Sequence, residues 1–352
     1  MAGVNETPSA NRTHIAFFGL RNAGKSTLVN AFTGQDIAIV SDVPGTTTDP
    51  VSKAMEILPL GPCLVTDTAG LDDEGALGEL RVKKTLAVLS STDIAVWVGG
   101  GFEEWRSRFE GIPVVVADRG IDAGELRRKV ASIRLEESAP GLLDGLAKRG
   151  DRVLCVCPID ESAPKGRLIL PQQQVIRECL EKGILATVCQ PENLPDGEFE
   201  LVITDSQAFA KVAGKYPRIT SFSILFARQK GDLAEFRRGL DAAARLKDGD
   251  LVLVAEACTH HRQCNDIGTV KIPAAVRTLC GAQPRFVFAS GKDFAAKLDG
   301  AKLAVHCGGC MLTRREMLAR IAAARERGVP VVNYGLLLQK ALCGAAGAFP
   351  AD

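Results

Sequence analysis

The sequence predicts an α/β protein, a P-loop domain followed by two smaller α/β domains with mainly parallel sheets. Three observations point there. Short apolar runs alternate with helical patterns along most of the 352 residues, as in a parallel sheet covered by helices. Domains of roughly 100–200 residues each would make two or three in a chain of this length. A phosphate-loop signature follows the first apolar run and opens the first helix. The boundaries are expected at 1–149, 150–249 and 250–352.

Composition narrows the function classes. The chain carries 43 Lys+Arg against 42 Asp+Glu, and 5% aromatics. It therefore has neither the basic footprint nor the stacking surface of a nucleic-acid binder. Hydrophobic residues at 46% exclude a largely disordered chain. No uncharged apolar run is long enough for a membrane span, and residues 1–14 lack the basic-then-apolar order of a secretion signal. The expectation is a cytoplasmic protein with no nucleic-acid or membrane partner. Eleven cysteines are then an excess that disulfides do not explain in a reducing compartment.

In the first domain the pattern predicts a strand at Ile15–Phe18, a helix over Lys25–Thr33, strands at Leu64–Thr66, Ile94–Val98 and Pro113–Ala117, and a helix over Glu79–Leu89. Between the first strand and helix lies Gly19-Leu20-Arg21-Asn22-Ala23-Gly24-Lys25-Ser26, a full match to G-x-x-x-x-G-K-[ST]. Its glycines let backbone N–H groups curl around a phosphate at a helix N-terminus. Lys25 would reach the β- and γ-phosphates, Ser26 would ligate Mg²⁺, and Gly19, Asn22, Ala23, Gly24 and Thr27 complete the nucleotide cradle. Asp67-Thr68-Ala69-Gly70 reads as D-x-x-G, with Asp67 on Mg²⁺ through water and the N–H of Gly70 sensing the γ-phosphate. Pro44-Gly45-Thr46-Thr47-Thr48-Asp49 stands where a switch loop belongs, and Thr46 and Thr47 are its candidates for closing on the metal. Lys25, Thr47 and Gly70 are the expected catalytic set. In this order and spacing the motifs resemble GTPases of the tRNA-modification/Era-like branch. Leu71 follows Gly70 where other GTPases orient water with Gln, so slow hydrolysis is expected, and Asn22 is a candidate for holding K⁺. The guanine-reading N-K-x-D is replaced by Ala117-Asp118-Arg119-Gly120-Ile121-Asp122, and no residue is assigned that role.

The second domain predicts strands at Arg152–Pro158, Leu185–Cys189, Leu201–Thr204 and Thr220–Phe226, with a helix over Gln172–Lys182. Leu233, Phe236, Leu240, Ala243 and Leu246 recur at near-helical spacing, predicting a helix within 231–250 that closes this domain. The third predicts strands at Leu251–Glu256, Arg285–Ala289, Leu303–His306 and Pro330–Asn333, and a helix over Thr313–Arg327.

Two segments of the third domain carry metal-ligand chemistry. Cys258-Thr259-His260 follows one predicted strand, and His306-Cys307-Gly308-Gly309-Cys310 ends another. In an open α/β sheet both would lie at the carboxyl ends of strands, where ligands bind. Three thiols with a nearby His suit structural zinc or an iron–sulfur cluster, and C-x-x-C alone also suits a redox dithiol. Cys63, Cys155, Cys157, Cys179, Cys189, Cys280 and Cys343 read as small core hydrophobes.

C-x-H and a distant H-C-x-x-C resemble the GTPase maturation factors of [FeFe]-hydrogenase, the HydF family. The likeness extends through Pro158-Ile159-Asp160, residues 163–171 and 201–207, Ser221-Phe222-Ser223-Ile224, Asp266-Ile267-Gly268 and Asn333-Tyr334-Gly335. It implies a GTPase domain, a dimerisation domain and a cluster domain in one chain. It further implies a homodimer that binds GTP or GDP with Mg²⁺ and holds a [4Fe-4S] cluster on Cys258, Cys307 and Cys310. His260 and His306 are the candidates for the fourth ligand. Such a scaffold would receive a transient two-iron subcluster precursor with the help of radical S-adenosylmethionine maturases and deliver it to apo [FeFe]-hydrogenase. A zinc-stapled GTPase of RNA modification or ribosome assembly is the alternative from another class.

Overall fold

The computed structural model describes residues 7–34, 50–73, 75–135, 140–159, 168–205, 208–257 and 267–343. The chain splits into two compact units, Met1–Glu137 and Ser138–Asp352.

The first unit contains β1 (Thr13–Phe18), α1 (Lys25–Thr33), β2 (Val51–Ile57), β3 (Gly61–Asp67), α2 (Gly75–Leu89), β4 (Ile94–Val98), α3 (Phe102–Trp105), β5 (Val114–Ala117) and α4 (Ala123–Ala131). Its sheet runs β2-β3-β1-β4-β5. Only β2–β3 is antiparallel. The central β1 is apolar on both faces because both are covered. Ile15 and Phe17 join Val29 and Phe32 of α1 and Leu126 and Val130 of α4. Ala16 and Phe18 join Val88, Trp97 and Phe109 on the other side. This is the period-two division of a strand between two layers. Phe17 and Phe32 meet edge to face with ring centroids 5.3 Å apart. Such a pair contributes about 0.5–1.5 kcal/mol beyond its buried area. Here it fixes α1 against the strand that leads into the phosphate loop. The sequence pattern missed β2, an edge strand with only Ile57 buried and so without an apolar stripe.

The second unit contains two four-stranded sheets, every pair parallel, as the fold class predicts. The first, ordered β7-β6-β8-β9, uses β6 (Arg152–Val156), α5 (Leu170–Lys182), β7 (Leu185–Cys189), β8 (Leu201–Thr204), α6 (Phe209–Val212) and β9 (Ile219–Ser221), followed by α7 (Phe222–Lys230). The other, ordered β11-β10-β12-β13, follows α8 (Leu233–Ala243). It comprises β10 (Leu251–Glu256), α9 (Ile272–Cys280), β11 (Arg285–Ser290), β12 (Ala301–His306), α10 (Arg314–Glu326), β13 (Val331–Asn333) and α11 (Tyr334–Cys343).

Two expectations change. Thr220–Phe226 is not one strand: β9 stops at Ser221, whose hydroxyl accepts the N–H of Ile224 at 3.3 Å and caps α7. The run reads as a strand because the helix is buried on opposite sides. Phe222, Leu225 and Phe226 enter the core of the first of these sheets, and Ile224 and Ala227 enter that of the second. A helix covered in this way shows no amphipathic stripe. The helix within 231–250 does not close the second domain either. Phe236 and Ala243 of α8 belong to the core of the last sheet. Gly239 lies so near β13 that a Cβ there would stand 2.0 Å from the Val331 carbonyl oxygen.

Cys63, Cys155, Cys157 and Cys179 are buried in the cores. Burial pushes the thiols of Cys63 and Cys179 up to about 11 and that of Cys157 to about 12, which keeps them inert. Among the described residues no helix is long and apolar enough to cross a membrane.

Candidate functional site

The phosphate loop leaves β1 at Gly19 and enters α1 at Lys25, as its motif requires. Gly19 has φ +151°, and a Cβ there would stand 2.6 Å from the Val98 carbonyl oxygen, so no larger residue fits. Asn22 is exposed with φ +60°, a left-handed turn that Asn tolerates. Gly24 caps α1 at φ +90°. Ala23 is buried and Thr27 exposed.

Lys25 is buried, and its ammonium donates to the carbonyls of Gly19 at 3.2 Å and Leu20 at 2.8 Å. Burial pulls it below the usual lysine range, opposed by the charges of Asp67, Asp72 and Asp73. Asp67 ends β3 fully buried. Its Oδ2 accepts the Ser26 hydroxyl at 2.7 Å, while Oδ1 has no hydrogen-bond partner among the described residues. Burial raises the Asp67 carboxyl, and Ser26 and Lys25 work against the rise. A buried, half-satisfied carboxylate beside a serine hydroxyl fits a hard divalent cation such as Mg²⁺, the role expected of both residues. Gly70 packs on the loop itself: a Cβ would stand 2.9 Å from the Arg21 nitrogen. Leu71 is buried in the core and cannot reach a water. The sequence reading missed Asp72, which accepts the Arg21 N–H at 2.5 Å. Thr46 and Thr47, with the rest of the expected switch at 44–49, lie outside the described residues.

The cysteine loop leaves β12 at Cys307 and reaches the Thr313 cap of α10. Cys307 N–H donates to the Ala255 carbonyl at 2.9 Å, and Ala257 N–H donates to Cys307 Sγ at 3.2 Å. The end of β10 therefore touches the sulfur one residue before Cys258 in the chain. Cys258, His260 and Cys264 lie outside the described residues. Cys310 is half-buried; burial raises its thiol, and the charge of Lys230 and the N–H groups of Cys310 and Met311 hold it down. Two thiols on a Gly-Gly turn, with the Ala257 N–H directed at one sulfur, suit a thiolate-held metal centre.

His306 has another task. It is buried, and its Nδ1–H donates to the Cys307 carbonyl at 2.8 Å, which leaves Nε2 to accept from Arg320 at 3.0 Å. Burial and then the Arg320 charge push its pKa down to about 4, so it stays neutral. Both ring nitrogens are engaged, so in this geometry His306 braces the loop.

Comparison with known families bears on both sites. Residues 142–231 match the hydrogen maturase F dimerization domain, and 234–344 match its tetramerization domain. The chain belongs to the HydF family. Residues 14–112 of this HydF-family chain match the 50S ribosome-binding GTPase family, which covers the phosphate loop and D-x-x-G. The tRNA modification GTPase MnmE of Myxococcus xanthus is 39% identical over 119 residues, 32% of this chain and 27% of that protein. GTPase Der of Xylella fastidiosa strain M23 is 45% identical over 91 residues, 25% and 19% of the two chains. The chain thus spans well under half the length of these curated relatives. The structure of an Era variant from Aquifex aeolicus bound to GDP and AlF4⁻ superposes with a TM-score of 0.27 at 15% identity, covering 80% of this chain and 94% of that one.

Proposed function

We propose that the chain is a GTP-hydrolysing scaffold that holds a [4Fe-4S] cluster and delivers the two-iron subcluster precursor to apo [FeFe]-hydrogenase. The observation that carries this reading is the pair of thiols on the 307–310 loop, with Ala257 N–H on Cys307 Sγ immediately before Cys258. Cys258, Cys307 and Cys310 would hold the cluster. Its remaining iron would supply an exchangeable coordination position, which suits a carrier. His260 is the candidate for that position; His306 would first have to give up Arg320 or the Cys307 carbonyl.

At the other loop, Lys25 would exchange the carbonyls of Gly19 and Leu20 for the β- and γ-phosphates, which restore its charge pairing. Ser26 and Asp67 would turn their oxygens to Mg²⁺, Gly70 N–H would sense the γ-phosphate, and Thr47 would close over it. With Leu71 buried, no side chain at that position orients water, and hydrolysis is slow. Ordering and release of the switch segments bias the docking of partners, among them radical S-adenosylmethionine maturases and the apo-hydrogenase. The protein works in the cytoplasm.

The dimerization and tetramerization domains support self-association. We assign one interface to β7, an edge strand with Leu185 at 61% and Val188 at 46% exposure beside Leu180 of α5 at 74%. An unpaired apolar edge is a template for a second copy. Sedimentation of the full chain should give a dimer or larger, and a Leu185→Lys variant should shift it toward monomer; an unshifted variant removes β7 from the interface.

Anaerobic reconstitution tests the main proposal. Iron and sulfide should be taken up in equal amounts with broad visible absorption, and Cys307→Ser should lose both. A colourless protein with one tightly bound zinc would contradict it.

A further inference from the structure

Lys230 is the last residue of α7, in the part of the chain that matches the dimerization domain, and it ends beneath the cysteine loop. It is 5% exposed. Its ammonium donates to the carbonyls of Leu312 at 2.8 Å, Cys310 at 3.1 Å and Gly309 at 3.3 Å, and lies 5.1 Å from the centroid of the Phe226 ring. Three carbonyls use all three ammonium donors, yet they bring no countercharge. Among the described residues no carboxylate forms an ion pair with it. A buried cation without an anion is expensive, and breaking such an arrangement from either side is costly. Burial pulls Lys230 down to about 8, and the groups that oppose this most are Cys310 and then Cys307, ahead of Glu316.

The carbonyl contacts also orient the loop. In a trans peptide the C=O and the following N–H point in opposite directions. With the Gly309 and Cys310 carbonyls turned inward to Lys230, the N–H groups of Cys310 and Met311 turn the other way. Burial raises the Cys310 thiol, and these two N–H groups work against the rise. Arg314 fixes the far end of the same run by donating to the Gln229 carbonyl at the end of α7.

We propose that Lys230 is the built-in counter-cation and positioning residue of the thiolate centre on the 307–310 loop, supplied by the dimerization domain to its neighbour. This rests on the cluster reading above. It adds that a residue of the preceding domain sets the charge and the backbone orientation around the cysteine sulfurs. A cation held on the carbonyls of this loop stabilises the reduced, more negative state of a cluster and the thiolate form of the free cysteines.

The test uses the full chain with Lys230→Met, which keeps the stem and loses the charge, and Lys230→Arg, which keeps the charge. In reconstituted protein, Lys230→Met should move the cluster midpoint potential to more negative values in an EPR-monitored titration and speed iron loss to a chelator severalfold. Lys230→Arg should stay close to the parent. An unchanged potential and chelation rate in Lys230→Met, or the same loss in both variants, would overturn the proposal. In apo protein at a single neutral pH, Lys230→Met should slow alkylation of Cys310 severalfold against Cys280 as internal control. That measurement separates the two proposals. If the parent takes up no iron and sulfide, the cluster reading fails, while an unchanged Cys310 rate in Lys230→Met is what would sink the role of Lys230. If Lys230→Met does not fold, Lys230→Arg decides: a parent-like potential supports the assignment, and a lowered one overturns it.

Discussion

The phosphate loop and the cysteine loop solve the same structural problem in two ways. Each leaves the carboxyl end of a parallel strand, turns through glycines and enters a helix. Each also keeps a buried lysine ammonium on its own carbonyls: Lys25 on Gly19 and Leu20, Lys230 on Gly309, Cys310 and Leu312. The difference is where the lysine comes from. Lys25 is five and six residues from its partners, whereas Lys230 lies 79 to 82 residues before its own. The first loop is a self-contained cassette. The second is assembled only when α7 docks, so its chemistry depends on tertiary packing. The groups that hold each lysine up against burial differ accordingly: the carboxylates of Asp67, Asp72 and Asp73 for Lys25, and Cys310 and Cys307 ahead of Glu316 for Lys230.

The largest way to break the parallel is Lys25→Ala. Losing a charged hydrogen-bonding partner of phosphate costs about 1.5–3 kcal/mol or more, roughly a 10- to 150-fold fall in affinity for a fluorescent GTP analogue. Iron uptake by the cysteine loop should be untouched.

A glycine pair sharpens it at smaller scale. In Gly70→Ala the new methyl meets Arg21 backbone at 2.9 to 3.0 Å, which cannot swing aside. About 1–3 kcal/mol of overpacking should appear as weakened GTP binding. In Gly309→Ala the methyl meets the tip of Met317, which can move, so the residual cost is the left-handed φ of +65°, about 1–2 kcal/mol in thermal stability. A Gly309→Ala variant that loses more than Gly70→Ala would mean that the cysteine loop is the more rigid of the two.

The smallest effect concerns Asn22. If it helps to hold K⁺, hydrolysis should be faster in K⁺ than in Na⁺, and Asn22→Ala should erase that difference while GDP affinity changes little. Equal rates in both salts for the parent chain would remove the ion from the account.

What the sequence made legible follows the same division. The phosphate loop, α1 and Asp67 were readable because their partners are set by local spacing and by a strand–helix order that a parallel sheet imposes. Cys307 and Cys310 were readable as a pair because a Gly-Gly turn brings i and i+3 together. Their setting was not. Lys230 sits at the end of a segment whose apolar run Phe222–Phe226 mimics a strand, since it is buried against two cores at once. His306 looked like a ligand by its place beside Cys307; only Arg320, from a helix turn fourteen residues on, reveals that both nitrogens are taken. Val51–Ile57 escaped notice because an exposed edge strand has no apolar periodicity to read.

The central claim is that the cysteine loop holds iron through sulfur. X-ray absorption at the iron and zinc edges of the anaerobically reconstituted full chain tests it most directly. The account predicts an iron signal dominated by sulfur and neighbouring iron, lost in Cys307→Ser and in Cys310→Ser, with zinc at background. A stoichiometric zinc signal with sulfur ligands, and no iron retained after gel filtration, would contradict it.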